Sequence, residues 1–349
     1  MDLLEDETVR RFSSRPEDLR TELQESPASP NQQVVIDEIQ NVPALLNSVH
    51  WIIENKDLRF ALCGSSARKL RRGGVNLLGG RAVNRELRGL TALELRDDFN
   101  LARLLNHGYI PQTYMSDTPS ELIDAYVSHY MTQEIIEESI VRNVPIFSDF
   151  LDAAALRDGA IVNFSNIARE SGVSYQTVKN YYTILEDTLM GRWLPAYSKQ
   201  PKGTERRSRK FYFSDVGVVN HLARRGVLQA GSSEFGKAFE NWVFHELTSY
   251  VAYKGIIRDR LSYWQLKNGN EVDFILGSQL AVEAKASNVI AHHHMKGLRL
   301  LRKHHPDIER RVVVSLEPRS LNHDGDIMIL TPEDFVKRLW DDELYQSEL

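Results

Sequence analysis

Glu271-Val-Asp-Phe-Ile-Leu-Gly-Ser-Gln-Leu-Ala-Val-Glu-Ala-Lys285 decides how the carboxy-terminal part of this chain folds. It predicts two short strands, 271–276 and 280–286, because Gly-Ser between β-rich runs signals a turn. A loop closed by Leu276 opposite Leu280 sets Asp273 opposite Glu283 and Glu271 opposite Lys285. Side chains alternate along a strand, so Asp273, Glu283 and Lys285 share one face. Leu280, Val282, Ala284 and Ala286 take the other. Like charges facing each other across an antiparallel pair destabilise it, so a sequence needing only a hairpin would avoid this pair. A divalent cation between the carboxylates would turn the repulsion into a ligand set, since hard cations take carboxylate oxygens. Lys285 would then sit beside the ion. The plain alternative is a surface hairpin with Lys285 salt-bridged to Glu271 and Glu283.

Upstream, residues 234–253 read as one long helix with Phe235, Phe239, Trp242, Val243 and Leu247 on or beside its buried face. Glu240 lies at the margin of that face, within reach of a sheet. An acid on one strand, Glu283-Ala-Lys285 on the next and an upstream helical carboxylate resemble the PD-(D/E)XK nuclease superfamily. Val272 stands where the motif name has proline. The resemblance implies a restriction-endonuclease-like α/β domain over 230–349. It implies Mg²⁺ on Asp273, Glu283 and Glu240, and metal-assisted phosphodiester hydrolysis by Asp273, Glu283, Lys285 and Glu240.

Near the amino end, Val34-Val-Ile-Asp37-Glu38 is a continuous apolar run ending in two acids. Such a run predicts a strand buried on both faces in a parallel sheet. Arg59-Phe-Ala-Leu-Cys63 predicts a second, and 43–56 the helix between them, with Leu45, Leu46, Val49, Ile52 and Ile53 inward. This β–α–β unit resembles the second half of a bacterial and archaeal AAA+ ATPase domain over roughly residues 30 to 95. Ile36-Asp37-Glu38-Ile39-Gln40 matches its Walker B strand and Cys63-Gly-Ser-Ser66-Ala-Arg68 its sensor 1. Arg81 stands where a finger would. The resemblance implies nucleotide roles for Asp37, Glu38, Ser66 and Arg81. A P-loop, Gly-x-x-x-x-Gly-Lys-Ser/Thr, supplies the amides and lysine that cradle the phosphates. No such stretch occurs here, so the expectation is a truncated parallel-sheet remnant with vestigial nucleotide residues. ATP would bind only if missing sequence supplied the P-loop.

Residues 96–125 read as a helical linker and 126–225 as a helical domain with a winged helix-turn-helix. Ser165 and Ser174 are expected N-caps, with Gly172 turning between two helices. Ile167, Ala168, Val173, Val178 and Tyr181 pack inward, leaving Tyr175, Gln176, Lys179, Asn180 and Thr183 outward, where side chains reach bases or phosphates. Downstream, 199–210 carries six positive charges and one negative. As the tip of a wing it would place Arg206, Arg207, Arg209 and Lys210 on DNA or another nucleic acid. The alternative is a solvated loop over a packing helix pair. Asp215 reads as a helix cap.

The remaining features set limits. At 349 residues the chain is long enough for two or three domains. Its formal net charge of -5 argues against coating nucleic acid with its whole surface, leaving local basic patches. The single cysteine, Cys63, excludes an intrachain disulfide and a cysteine zinc site, and its apolar run predicts a buried, inert thiol. No apolar run approaches the ~18 residues of a membrane span, and the acidic start lacks a signal-peptide core. A cytoplasmic, non-membrane protein is expected, with a homo-oligomer admitted. His292, His293 and His294 point in different directions on a helix and read as a solvated start. Two functions stay open: a Mg²⁺-dependent nuclease with an ATPase-dead appendage, and a non-catalytic regulatory or scaffold AAA+ protein whose nuclease fold is a binding module. A product with no present function is a third reading.

Overall fold

The computed structural model describes residues 1–25, 33–64, 80–131, 143–197, 208–256, 261–323 and 326–346. The chain divides into two compact units, Met1–Asn84 and Arg85–Leu349.

The first unit holds helices α1 (Asp6–Ser14), α2 (Asp18–Glu25) and α3 (Leu45–Asn55) and strands β1 (Gln33–Ile36) and β2 (Arg59–Leu62). The strands pair in parallel, Val34 with Phe60 and Ile36 with Leu62, as the β–α–β reading requires. Leu45, Leu46, Val49 and Ile52 recur at helical spacing, and α3 buries that stripe. The expectation of strands buried on both faces is corrected. Val34, Ile36, Phe60 and Leu62 pack into the core, whereas Val35 is 48% exposed. Only one face of the pair meets this core, so an unbroken apolar run still alternates in burial. Cys63, expected buried, is exposed; β2 ends at Leu62, and the Cys63 backbone donates to Ile36 O and accepts from Ile39 N–H.

The second unit starts with short helices α4 (Ala92–Leu95), α5 (Leu101–His107), α6 (Pro111–Met115) and α7 (Pro119–Ala125), then α8 (Val144–Ala155). The unit boundary precedes the expected one at residue 95. Leu90 N–H donates to Tyr109 O at 2.7 Å, and Ala92 N–H donates to buried Glu246 at 2.7 Å. Leu95 lies in the same core as Trp242 and Leu247. These contacts assign 85–95 to the second unit.

Helices α9 (Phe164–Glu170) and α10 (Tyr175–Asp187) follow, joined through Gly172, whose φ of +64° a glycine adopts without strain. Asn163, not Ser165, caps α9 by accepting from the Ser165 and Asn166 N–H groups. Ser174 caps α10, accepting from Thr177 N–H at 3.1 Å. Strands β3 (Gly191–Leu194) and β4 (Lys210–Phe213) form an antiparallel pair. Their Phe211 and Phe213 share a core with Ile167, Val178 and Tyr182. Asp215 caps α11 (Val216–Leu222), accepting from Val218 N–H at 3.1 Å.

The long helix α12 (Ser233–Tyr253) then leads into a six-stranded sheet. Its strands are β5 (Leu261–Gln265), β6 (Glu271–Leu276), β7 (Leu280–Lys285), β8 (Arg310–Ser315), β9 (Leu321–His323) and β10 (Ile327–Leu330), in spatial order β5-β6-β7-β8-β10-β9. The pairs β7–β8 and β8–β10 are parallel. Helix α13 (Lys296–His304) makes the crossover between β7 and β8. One face packs on α12 and on α14 (Pro332–Trp340), through Phe239, Val243, Phe274, Val282 and Phe335. The other packs on α13, through Leu298, Leu301, Ile275 and Ala281. The α9–α10 region is not separate from this layer: Ala196 bridges to Tyr263, and Tyr212 joins the α12 core. Among the described residues no helix is long and apolar enough to cross a membrane.

Candidate carboxylate–lysine site

The register of β6 and β7 follows from the turn. Gly277, at φ +57°, lets the chain reverse in three residues. Leu276 then faces Leu280, Ile275 faces Ala281 and Phe274 faces Val282. Past that pair the ladder gives way, and the Asp273 carboxylate accepts the Ala284 N–H at 2.9 Å. The cause lies on the other side of β6. Ser262 pairs with Ile275 and Trp264 with Val272, so Tyr263 alone opposes both Phe274 and Asp273. This is a β-bulge, which breaks alternation and re-aims a side chain. Accordingly Phe274 packs against α12 and Val272 against α13, although alternation would put them on one face.

The bulge brings Asp273 to Glu283 and Lys285. The Lys285 ammonium lies 2.6 Å from Glu283 Oε1 and 3.7 Å from Asp273 Oδ2. Both carboxylates are buried, while the lysine side chain is 31% exposed. Burial pushes the Glu283 carboxyl up to about 8, and the Asp273 charge adds to this against the pull of Lys285. Burial opposes the Lys285 charge, but Asp273 and Glu283 outweigh it and the net shift is upward. Among the described residues, Glu283 Oε2 is buried with no hydrogen-bond partner. An orphaned buried polar atom costs about 1–3 kcal/mol, more if charged, a cost that a proton, a water or a cation at this oxygen would relieve.

Glu240 belongs to the same cluster by another route. Tyr212 O–H donates to its Oε1 at 2.5 Å, and the Lys210 ammonium lies 3.5 Å from that oxygen. Burial raises the Glu240 pKa and the nearby Asp273 charge raises it further, while Lys210 opposes both. Lys210 also reaches Glu271 Oε2 at 3.6 Å, and Gln265 donates to the same oxygen at 2.8 Å. Glu271 therefore partners Lys210 rather than lying across from Lys285 as expected. Among the described residues, no three Asp, Glu, His or Cys side chains converge as a metal-binding set. Glu240 turns to Lys210 and Tyr212 instead of closing such a set with Asp273 and Glu283.

Lys210 requires a correction. Taken as a phosphate contact at an exposed wing tip, it is a buried residue of β4 whose ammonium faces carboxylates. Burial works against its charge, but Glu240, Asp273, Glu271 and Glu283 together hold the proton and shift its pKa upward. Local composition hid this, because Lys210 ends a basic run and also begins the strand Lys210-Phe-Tyr-Phe. The alternation that aims Tyr212 at α12 was the available signal. Of the other expected nucleic-acid contacts, Arg206 and Arg207 lie outside the described residues. Arg209 is exposed, as are Tyr175, Gln176, Lys179, Asn180 and Thr183 on α10.

The expected nucleotide residues lie in the first unit. Asp37 is exposed just beyond β1, and Glu38 adopts a left-handed φ of +54° and accepts from Gln40. Arg81 pairs with Glu54 on α3. Ser66 lies outside the described residues.

Three family models match the chain in succession. Residues 3–96 match an AAA domain, 98–229 a domain of unknown function (DUF8612) and 235–333 another (DUF4143). Together they support an AAA-type ATPase family with trailing domains of unknown function. Among curated proteins, the uncharacterized proteins Rv2008c of Mycobacterium tuberculosis and Mb2031c of Mycobacterium bovis are each 24% identical over 250 residues, covering 69% of this chain and 55% of their own length. The chain thus spans about half the length of the curated relatives it matches. Protein VC1899 from Vibrio cholerae, a crystal structure, aligns over 90% of both chains at 12% identity with a TM-score of 0.24.

Proposed function

We propose that the second unit is a nucleic-acid-binding, divalent-cation-dependent phosphodiesterase of the PD-(D/E)XK type, carried in one chain with an AAA-type ATPase-like domain. The observation that carries this reading is the meeting of Asp273, Glu283 and Lys285 at a bulge, with a buried Glu283 oxygen left unpartnered among the described residues. The donor chemistry fits Mg²⁺, which takes carboxylate oxygens and keeps several waters. Asp273 and Glu283 would hold the ion, and Glu240, engaged with Lys210 and Tyr212, would act on it through water. Bound there, the cation would polarise a phosphate and lower the pKa of its water. Lys285, the more exposed member, would place positive charge where charge develops on phosphorus-bound oxygen.

The α9–α10 pair and the β3–β4 hairpin support a winged helix-turn-helix that presents Tyr175, Gln176, Lys179, Asn180, Thr183 and Arg209 to the nucleic acid. ATP is proposed as a ligand only with a P-loop supplied by sequence beyond these residues. One observation favours a second reading. Lys285 already pairs with both carboxylates, as in a binding module without catalysis.

Calorimetric Mg²⁺ titration with DNA cleavage assays separates the two. The parent is expected to bind Mg²⁺ and cut, and Asp273→Asn to lose both. Lys285→Ala is expected to keep the ion and cut at least about 100-fold more slowly. Equal cutting by all three rules the catalytic reading out.

A further inference from the structure

The cluster contains a second lysine that the Glu-x-Lys pattern does not include. Lys210 arrives on β4, from the hairpin rather than from the sheet, and its side chain is 5% exposed. Its ammonium lies between Glu240 Oε1 and Glu271 Oε2, at 3.5 and 3.6 Å, and 5.3 Å from the centre of the Tyr263 ring. Each of those oxygens also accepts a neutral hydrogen bond, from Tyr212 and from Gln265. Glu240 and Glu271 are thus satisfied within the protein, whereas among the described residues Glu283 retains a buried oxygen without a partner.

We propose that Lys210 is a built-in cation of this site. It stands between Glu240 and Glu271 where a second metal ion would otherwise bind, and so restricts the cluster to one divalent cation, at Asp273 and Glu283. The inference rests on the metal site proposed above and adds its stoichiometry. With every carboxylate ionised, the four acids Glu240, Glu271, Asp273 and Glu283 face two ammonium groups, Lys210 and Lys285. The remainder is the charge of one divalent ion. Removing the Lys210 ammonium frees two carboxylates that point at the same space. Tyr212 and Gln265 would still donate to these two acids, but neither brings positive charge. Lys210 is a positioning residue for Glu240.

The test counts bound Mn²⁺ by loss of the free-ion paramagnetic resonance signal, in the full chain. One ion is expected in the parent and two in Lys210→Met. Melting is expected to show that Mn²⁺ raises the transition of Lys210→Met more than that of the parent, because a ligand of the folded state stabilises it by mass action. One ion in both proteins overturns the inference and leaves the proposed function standing. No ion in either overturns both. Should Lys210→Met not fold, Glu240→Gln tests the same accounting from the other side. With one acid fewer and both lysines kept, Mn²⁺ affinity is expected to fall about tenfold or more. Unchanged affinity would overturn the inference.

Discussion

At the scale of single residues, burial decides which carboxyls carry charge. Glu246 accepts the Ala92 N–H and the Trp340 indole N–H, and both bonds favour its ionised form. Burial outweighs them and raises its pKa from 4.5 to about 7. Folding therefore favours the protonated carboxyl. That benefit is complete below the unfolded value and disappears as pH rises through the folded one. Urea unfolding should show the parent losing stability between about pH 4.5 and 7, by an amount on the order of 3 kcal/mol. Glu246→Gln, which has no proton to lose, should flatten this slope. A parent and variant with parallel pH profiles would assign the dependence to other groups, with Asp158, raised to about 7 by burial, the first candidate.

At the scale of elements, two pieces carry separate duties. The exposed face of α10 is polar and carries one cation, Lys179. Its buried face, Val178, Tyr181, Tyr182 and Leu185, holds it to α8 and the hairpin. If α10 lies against a duplex, Lys179→Ala should reduce the slope of log affinity against log salt by about 0.9, the release of one counterion. Asn180→Ala should leave the slope alone, because an amide displaces no counterion. Fluorescence anisotropy at several salt concentrations reads both. Affinity indifferent to salt in the parent would remove phosphate contact from the account. The other element is β6. Its bulge places Asp273 beside Lys285; alternation predicted that grouping, but through a regular ladder the strand does not keep. Opposite Tyr263 the strand holds one residue too many, and the ladder yields at the position where the chemistry is proposed.

At the scale of the whole chain, the structural boundary and the family boundary differ. The AAA model ends at residue 96, yet the second unit begins at Arg85. A fragment spanning 85–349 should unfold in one cooperative transition. A fragment starting at 97 lacks the buried Ala92 and Leu95 and one of the donors to Glu246, the Ala92 N–H. Burying one leucine is worth about 1.5–3 kcal/mol, so the shorter fragment should be less stable by several kcal/mol in urea titration. Equal midpoints would show that 85–96 contributes nothing to the second unit.

Much of the local architecture was readable from residue order. Gly277 and the β-rich runs around it determined a hairpin and its register. Ser174 and Asp215 announced their helices, because a cap acts within three residues of itself. The parallel β1–β2 pair followed from two apolar runs with a helical period between them. What only the tertiary structure decided depends on residues far apart in sequence. Lys210 meets Glu240 and Glu271 across 30 and 61 positions, and Tyr263 opposes two residues of β6 only because strands pair with that slip. Cys63 lies exposed because β2 ends one residue before it, a boundary the apolar run did not mark. Local pattern sets which way a segment turns, but the partner a charge finds is settled only when the whole chain packs.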